Sequence, residues 1–212
     1  MIEPLAQGMS FVIGDDDFLC PNLYVIKGSV SSLLIDTTNR LDHLQEGLRE
    51  AGAFAKISRQ NFVVLTHFHN DHIALVKSLP PSAIVLCSKN TSRYLTPSFS
   101  NERRIITEDT QIDLGTLMVS VLPVPSLHSK GSLDVLVGDF LFTGDSLLAR
   151  SRGEEAYYNH EVAVEMEKRY ESIPFSIAIQ SHPSALRITK EKLLVLLHSL
   201  VVEGPQKEDF LK

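Results

Sequence analysis

At 212 residues with 43% apolar side chains, the chain is long enough to bury a substantial core, and its composition gives no sign of disorder. A net charge of −6 argues against a nucleic-acid binder that gains affinity by counterion release, because such proteins present a basic surface. Cys20 and Cys87 are too few for a disulfide framework and are not spaced as a redox or metal pair, so a reducing, cytoplasmic setting is expected.

Met1-Ile2-Glu3-Pro4 lacks the positive start and apolar core of a signal peptide. Ser10 to Ile13 and Asn22 to Ile26 read as short strands, separated by the acidic turn Asp15-Asp16-Asp17 and a break at Cys20-Pro21. Ser31 to Asp36 reads as a third, with Lys27-Gly28-Ser29 as its hairpin turn, which predicts a meander. The acidic turn lacks the spacing of a calcium loop and reads as solvated. Thr37-Thr38-Asn39 then offers a helix cap, Leu41, Leu44, Gln45 and Leu48 fall at helical spacing, and Gly52 can end the helix.

Phe62-Val63-Val64-Leu65 predicts a buried strand and Ile73 to Val76 the first turns of a helix. Between them lies Thr66-His67-Phe68-His69-Asn70-Asp71-His72, which holds three of the chain's eight histidines within six residues. From an extended segment His67 and His69 can point the same way, while Asp71 and His72 project from the turn that follows. Imidazoles and a carboxylate crowded onto a strand-to-helix loop form a metal-binding pattern. Loops that leave strand ends are also where ligands gather in sheets flanked by helices.

Ile84-Val85-Leu86 predicts another strand and Ser88 to Leu95 a serine-capped helix, whereas Pro97 to Thr110 yields no clear element. Arg103 and Arg104 within that stretch read as a solvated face. Leu117 to Val121 alternates as a strand, and Pro123-Val124-Pro125 forces an extended exit that leads to His128. Leu133 to Val137 and Phe140 to Phe142 predict a hairpin around Gly138-Asp139, and its second strand delivers Asp145. Taken alone, His128 reads as a surface residue and Asp145 as a helix cap; their places at strand ends add weight to both.

Arg150 to Glu155 reads as a charged loop and Asn159 to Glu171 as an amphipathic helix. Ile177-Ala178-Ile179 predicts a last strand that releases His182, and Thr189 caps a final helix that is apolar from Leu193 to Val202. That run, interrupted by His198 and Ser199, is about half the roughly 20 residues needed to span a bilayer, so no membrane partner is expected. No repeat or linker divides the chain, which predicts one domain over residues 1–212.

Assembled in order, these residues resemble the metallo-β-lactamase superfamily, whose HxHxDH signature matches His67, His69, Asp71 and His72. Its third histidine matches His128, followed by Gly131-Ser132; the aspartate after a threonine-glycine pair matches Asp145, and the last histidine matches His182. Asn22 and Leu34-Ile35-Asp36 are also familiar. The resemblance implies an α/β fold, a four-layered αββα sandwich with two mixed β-sheets. It further implies two divalent metal ions, with His67, His69 and His128 on the first, Asp71, His72 and His182 on the second, and Asp145 bridging. An all-nitrogen-and-oxygen donor set suits zinc first, with iron or manganese as alternatives.

Hydrolysis of a small-molecule carboxyl derivative, a thioester, ester or lactone, by a bridging hydroxide is the implied chemistry, with Asp71 orienting the hydroxide or receiving its proton. Zinc β-lactamases lack the bridging aspartate, so Asp145 argues against antibiotic hydrolysis. Glyoxalase II-type enzymes share the whole ligand set but add a C-terminal helical region, and here only 30 residues follow His182. Mononuclear iron sulfur dioxygenases and phosphodiesterases of the same superfamily are the alternatives. The sequence departs from the common pattern at Ile73-Ala74 and at Ser181-His182-Pro183, without loss of a ligand. Arg150, Arg152, Tyr157 and Tyr158 follow the bridging aspartate, where family members shape the substrate pocket.

Overall fold

A computed structural model describes residues 2–53, 60–96, 98–152, 155–182 and 187–203, with the side chains of 150–152, 155–157 and 203 outside the described set. Seven strands form the first sheet in chain order: β1 (Ile2–Ala6), β2 (Met9–Val12), β3 (Leu23–Lys27), β4 (Ser31–Ile35), β5 (Gln60–Leu65), β6 (Ile84–Cys87) and β7 (Arg103–Ile105). Strands β1 to β4 run antiparallel, as the predicted meander requires, and β4 to β7 run parallel. The next strands are β8 (Thr110–Asp113), β9 (Met118–Val124), β10 (Ser132–Val137) and β11 (Phe140–Gly144). A separate ribbon pairs β12 (Arg150–Arg152) with β13 (Glu155–Tyr157), and β14 (Ile177–Gln180) and β15 (Arg187–Thr189) follow. The second sheet has the order β15-β14-β11-β10-β9-β8, antiparallel except for the parallel β11–β14 pair.

Side-chain alternation explains the layers, because successive residues of a strand face opposite sides. Leu33, Ile35 and Val64 of the first sheet meet Val119, Val121, Val135 and Phe142 of the second in the central core. Their neighbours Leu34, Val63 and Leu65 turn outward onto Leu44 and Leu48 of α1 (Leu41–Glu50). On the far side Leu141 and Ala178 carry α4 (His160–Ser172) and α5 (Lys190–Glu203) through Met166, Tyr170, Leu193 and Leu197. The result is helix, sheet, sheet, helix, the expected αββα sandwich.

Helix α4 starts where predicted: the Asn159 carboxamide oxygen accepts from the Glu161 and Val162 amides at 2.8 and 3.2 Å. Its buried Ala163, Met166 and Tyr170 repeat at three and four residues, one face of a helix. The helix expected from Ile73 to Val76 lies earlier, as the single turn α2 (Asn70–Ile73) followed by a 3-10 turn at Val76–Ser78. The one expected over Ser88 to Leu95 shrinks to the single turn α3 (Lys89–Ser92), capped by Ser88 as expected. Arg150 to Glu155, read as a loop, contributes instead to the β12–β13 ribbon. Strand β7 emerges from the unassigned stretch 97–110; all three of its residues are exposed, so pairing with β6 holds it and no apolar pattern marks it. Among the described residues no helix is long and apolar enough to cross a membrane.

Candidate metal centre

All seven predicted ligands stand just beyond strand ends at one edge of the sandwich. His67 and His69 leave β5 in extended backbone, and α2 begins at once, so Asp71 and His72 turn back toward them. His128 follows β9, Asp145 follows β11 and His182 follows β14. Because β11 and β14 are parallel and in register at Gly144 and Gln180, their exits release Asp145 and His182 side by side. Gly144 has a left-handed φ of +53°, and a Cβ there would lie 2.8 Å from the Thr66 side chain. Only glycine lets the Asp145 strand end approach the histidine loop so closely.

Two donor groups result, His67–His69–His128 and Asp71–His72–Asp145–His182, and within each the ligand atoms lie within 4.8 Å of one another. His69 Nδ1 and His128 Nε2 are 2.8 Å apart. Asp145 Oδ2 sits among both groups, 3.2 Å from His72 Nε2, 3.5 Å from His182 Nε2, 3.6 Å from His128 Nε2 and 3.8 Å from His67 Nε2. Asp71 Oδ2 lies 3.3 Å from His72 Nε2 and 3.5 Å from His182 Nε2. Ligand bonds of about 2.0–2.1 Å in tetrahedral array put donor atoms about 3.4 Å apart, and the close pairs here, from 2.8 to 3.8 Å, bracket that distance. His67 Nε2 and Asp145 Oδ1 are buried without a hydrogen-bond partner among the described residues. Such orphaned atoms in a nitrogen-and-oxygen cage are what bound cations would satisfy. The residues therefore fit two divalent ions.

Outer contacts fix the rings. Asp36 Oδ2 lies 2.7 Å from His72 Nδ1, and the same carboxylate accepts from the Thr66 amide at 2.7 Å and the Thr66 hydroxyl at 2.9 Å. The Thr66 hydroxyl is also 3.1 Å from His67 Nδ1, and the Thr37 amide and hydroxyl donate to the His72 carbonyl at 2.8 and 3.0 Å. A carboxylate behind a ligating imidazole sets its tautomer and raises its basicity, so Asp36 orients Nε2 of His72 toward the site. The geometry is possible because β4 and β5 are parallel neighbours whose ends align, which brings Asp36 beside Thr66.

Electrostatics separate the two groups. Burial, then the neighbouring His72, pushes His67 down, and burial brings His128 down to about 4 despite Asp145. Both rings are neutral lone-pair donors at pH 7. Hydrogen bonds to Asp145 and Asp71 lift His182 to about 9. Burial opposes charge on His72, yet Asp36, Asp145 and Asp71 outweigh it and raise that ring. Burial opposes charge on Asp145 and, less completely, on the half-buried Asp71, but His182 and His72 hold both well below the usual carboxylate range. The carboxylates thus create a field that calls for positive charge. Access is from one side: His128, His182 and Asp71 are 19%, 15% and 23% exposed, whereas His67 and His72 are sealed.

Tyr158, a candidate pocket residue, belongs to the helical layer; it is buried and its hydroxyl donates to the Leu200 carbonyl at 2.9 Å. The side chains of Arg150, Arg152 and Tyr157 lie outside the described residues. Two supporting groups were given no role by the sequence reading. Asp36 was visible as a strand-end carboxylate, but its role depends on His72, a partner 36 residues away. Asp134 was the lone acid in an apolar run, which is a signal; it is fully buried and accepts from Tyr170 at 2.5 Å and Ser146 at 2.8 Å.

Comparison with known proteins agrees with this geometry. The family profile for the metallo-beta-lactamase superfamily matches residues 17–199. The metallo-beta-lactamase fold-containing protein ST1585 of Sulfurisphaera tokodaii is 27% identical over 162 residues, 62% of this chain and 58% of that protein. The crystal structure of ST1585 from Sulfolobus tokodaii superposes with a TM-score of 0.66 at 21% identity, over 99% of this chain and 92% of that one. A metal-soaked flavodiiron core from Synechocystis gives a TM-score of 0.72 at 18% identity, covering 96% of this chain and 61% of that one. The flavodiiron protein of Giardia intestinalis gives 0.68 at 16% identity, over 96% and 60%. The chain thus spans about three fifths of the sequence relative and of the flavodiiron chains, and the structural likeness speaks to the fold. With the profile match running through every ligand-bearing strand end, the chain belongs to the metallo-beta-lactamase superfamily.

Proposed function

We propose that this protein is a dinuclear metal-dependent hydrolase acting on a small carboxyl derivative, a thioester, ester or lactone. The observation that carries the reading is the position of Asp145 Oδ2, within 3.2 to 3.8 Å of imidazole nitrogens from both donor groups. One carboxylate oxygen shared between two cages serves two ions better than one. His67, His69 and His128 would hold the first ion, Asp71, His72 and His182 the second, and Asp145 would bridge. Two such ions supply Lewis-acid polarisation of a carbonyl and a water acidic enough to ionise near pH 7.

The chain's own groups do the rest. Asp71 is ionised at neutral pH and is the most exposed of the carboxylates in the cage, so it can accept a hydrogen bond from a water molecule and orient it. Asp36 and Thr66 keep His72 and His67 in register while substrate enters from the open side. The nitrogen-and-oxygen donor set suits zinc, and it also suits the iron that the flavodiiron names indicate for those proteins.

In zinc-loaded protein assayed on acyl thioesters, Asp71→Ala is expected to lower turnover by at least about a hundredfold, the usual cost of losing a positioned group. His69→Ala should abolish turnover by dismantling the first cage, with the far-ultraviolet circular dichroism of both variants unchanged. Full activity in either variant contradicts the proposal.

A further inference from the structure

We infer that the apolar cavity between α5 and the ligand-bearing loops receives the acyl chain of the substrate, so the preferred substrate is a medium-chain acyl thioester or ester. The inference rests on the hydrolase reading above and deepens it. Water adds its oxygen to the acyl carbon, the acyl–sulfur or acyl–oxygen bond breaks, and the products are a carboxylate, a thiol or alcohol, and one proton.

The cavity, about 250 Å³, is walled chiefly by Leu127, Leu147, Gln180, Leu193, Leu196 and Leu200. Three of these walls are tied to the metal centre by sequence. Leu127 immediately precedes His128, Leu147 lies two residues beyond Asp145, and Gln180 lies two before His182. Consecutive Cα atoms are about 3.8 Å apart, so these walls start within about 8 Å of three ligand Cα atoms, a distance that an extended octanoyl chain spans. The Leu127 amide also donates to the Ser146 carbonyl at 3.0 Å, which locks the His128 and Asp145 loops together at the cavity floor.

None of the lining residues carries a charge, and Gln180 and Ser199 are its polar members. That chemistry suits an uncharged hydrocarbon chain and offers nothing to a dicarboxylate or a phosphate. An apolar cavity of about 150 Å³ takes up benzene, so this one accommodates a longer acyl group. Helix α5 supports the same occupant. It is apolar nearly all round, a pattern expected of a covered helix, yet Leu196 is 53% exposed beside the cavity. A chain lying there would cover Leu196 and the half-buried Leu147.

The test is a series of acyl thioesters from acetyl to decanoyl, given to the zinc-loaded protein and to Leu196→Trp and Ser199→Phe, two substitutions that fill the cavity from α5. In the unaltered protein kcat/KM should climb about two- to fourfold per methylene until the cavity is full, the gain expected for a buried CH₂. In both variants the rise should flatten, with long-chain and acetyl substrates within about twofold of each other and the change lying in KM. Octanoate, the probe for binding without turnover, should titrate the unaltered protein by calorimetry and fail to titrate the variants. A flat series in the unaltered protein, with acetyl thioester hydrolysed, overturns the cavity assignment and leaves the hydrolase reading standing. Octanoate binding with no hydrolysis at any chain length overturns the hydrolase reading instead. Loss of both overturns both.

Discussion

Asp36 shows how much one residue outside the ligand set determines. It stands one residue past β4 with a left-handed φ of 66°, a conformation that non-glycine residues seldom adopt and that the surrounding contacts must impose. Its carboxylate holds the Thr66 amide, the Thr66 hydroxyl and His72 Nδ1 together. Asp36→Asn keeps the size but weakens the acceptor behind His72, and outer groups of this kind are typically worth about 10- to 100-fold in metal affinity. Competition against a chelator should show that loss, with the far-ultraviolet circular dichroism of the metal-free protein unchanged. Equal affinity in the variant would remove Asp36 from the account. The sequence displayed His67, His69, Asp71 and His72 openly because six residues carry all four. It could not display the function of Asp36, which arises from the parallel alignment of β4 with β5.

At the scale of elements, strands with a buried side were legible and edge strands were not. β5, β10, β11 and β14 announce themselves by apolar runs, since both faces or one whole face is packed. β7 and the β12–β13 ribbon are short pairings, and β7 buries nothing, so periodicity has nothing to report there. The same blindness hid the junction between β10 and α4. Burial lifts the Asp134 carboxyl to about 7 although hydrogen bonds from Tyr170 and Ser146 work against the shift. The folded state therefore binds this proton more tightly than an unfolded chain, whose carboxyl has its ordinary value of 3.8. Its stabilising contribution is complete below 3.8 and is lost as pH rises through about 7. Urea unfolding at pH 5 and pH 8 should find the protein weaker at the higher pH, and Asp134→Asn should remove that part of the decline. The same decline in the variant would show that Asp134 is not its source.

Across the whole molecule the two sheets are fastened at the edge where the ligands lie. The Leu133 amide donates to the Thr66 carbonyl at 2.8 Å, the Asn22 amide to the Ser181 carbonyl at 2.6 Å, and the Tyr24 hydroxyl to the Gln180 carbonyl at 2.6 Å. Each tie joins the first sheet or its loops to a segment next to His67, His128 or His182. The αββα sandwich and the order of the ligand-bearing loops were readable because motif and strand pattern agreed along the chain. The meeting of four separate strand ends was implied only by resemblance, since no local pattern encodes contact between residues 67 and 182. A site assembled from both sheets also means that metal binding should stabilise the entire fold.

The most direct test of the dinuclear reading is a metal titration of the metal-free protein, with bound metal counted by elemental analysis and acyl-thioester hydrolysis followed at each point. The account predicts saturation at two divalent ions per chain and full activity only as the second is taken up. Saturation at a single iron per chain, with oxygen consumed on a persulfide and no thioester hydrolysed, would contradict it.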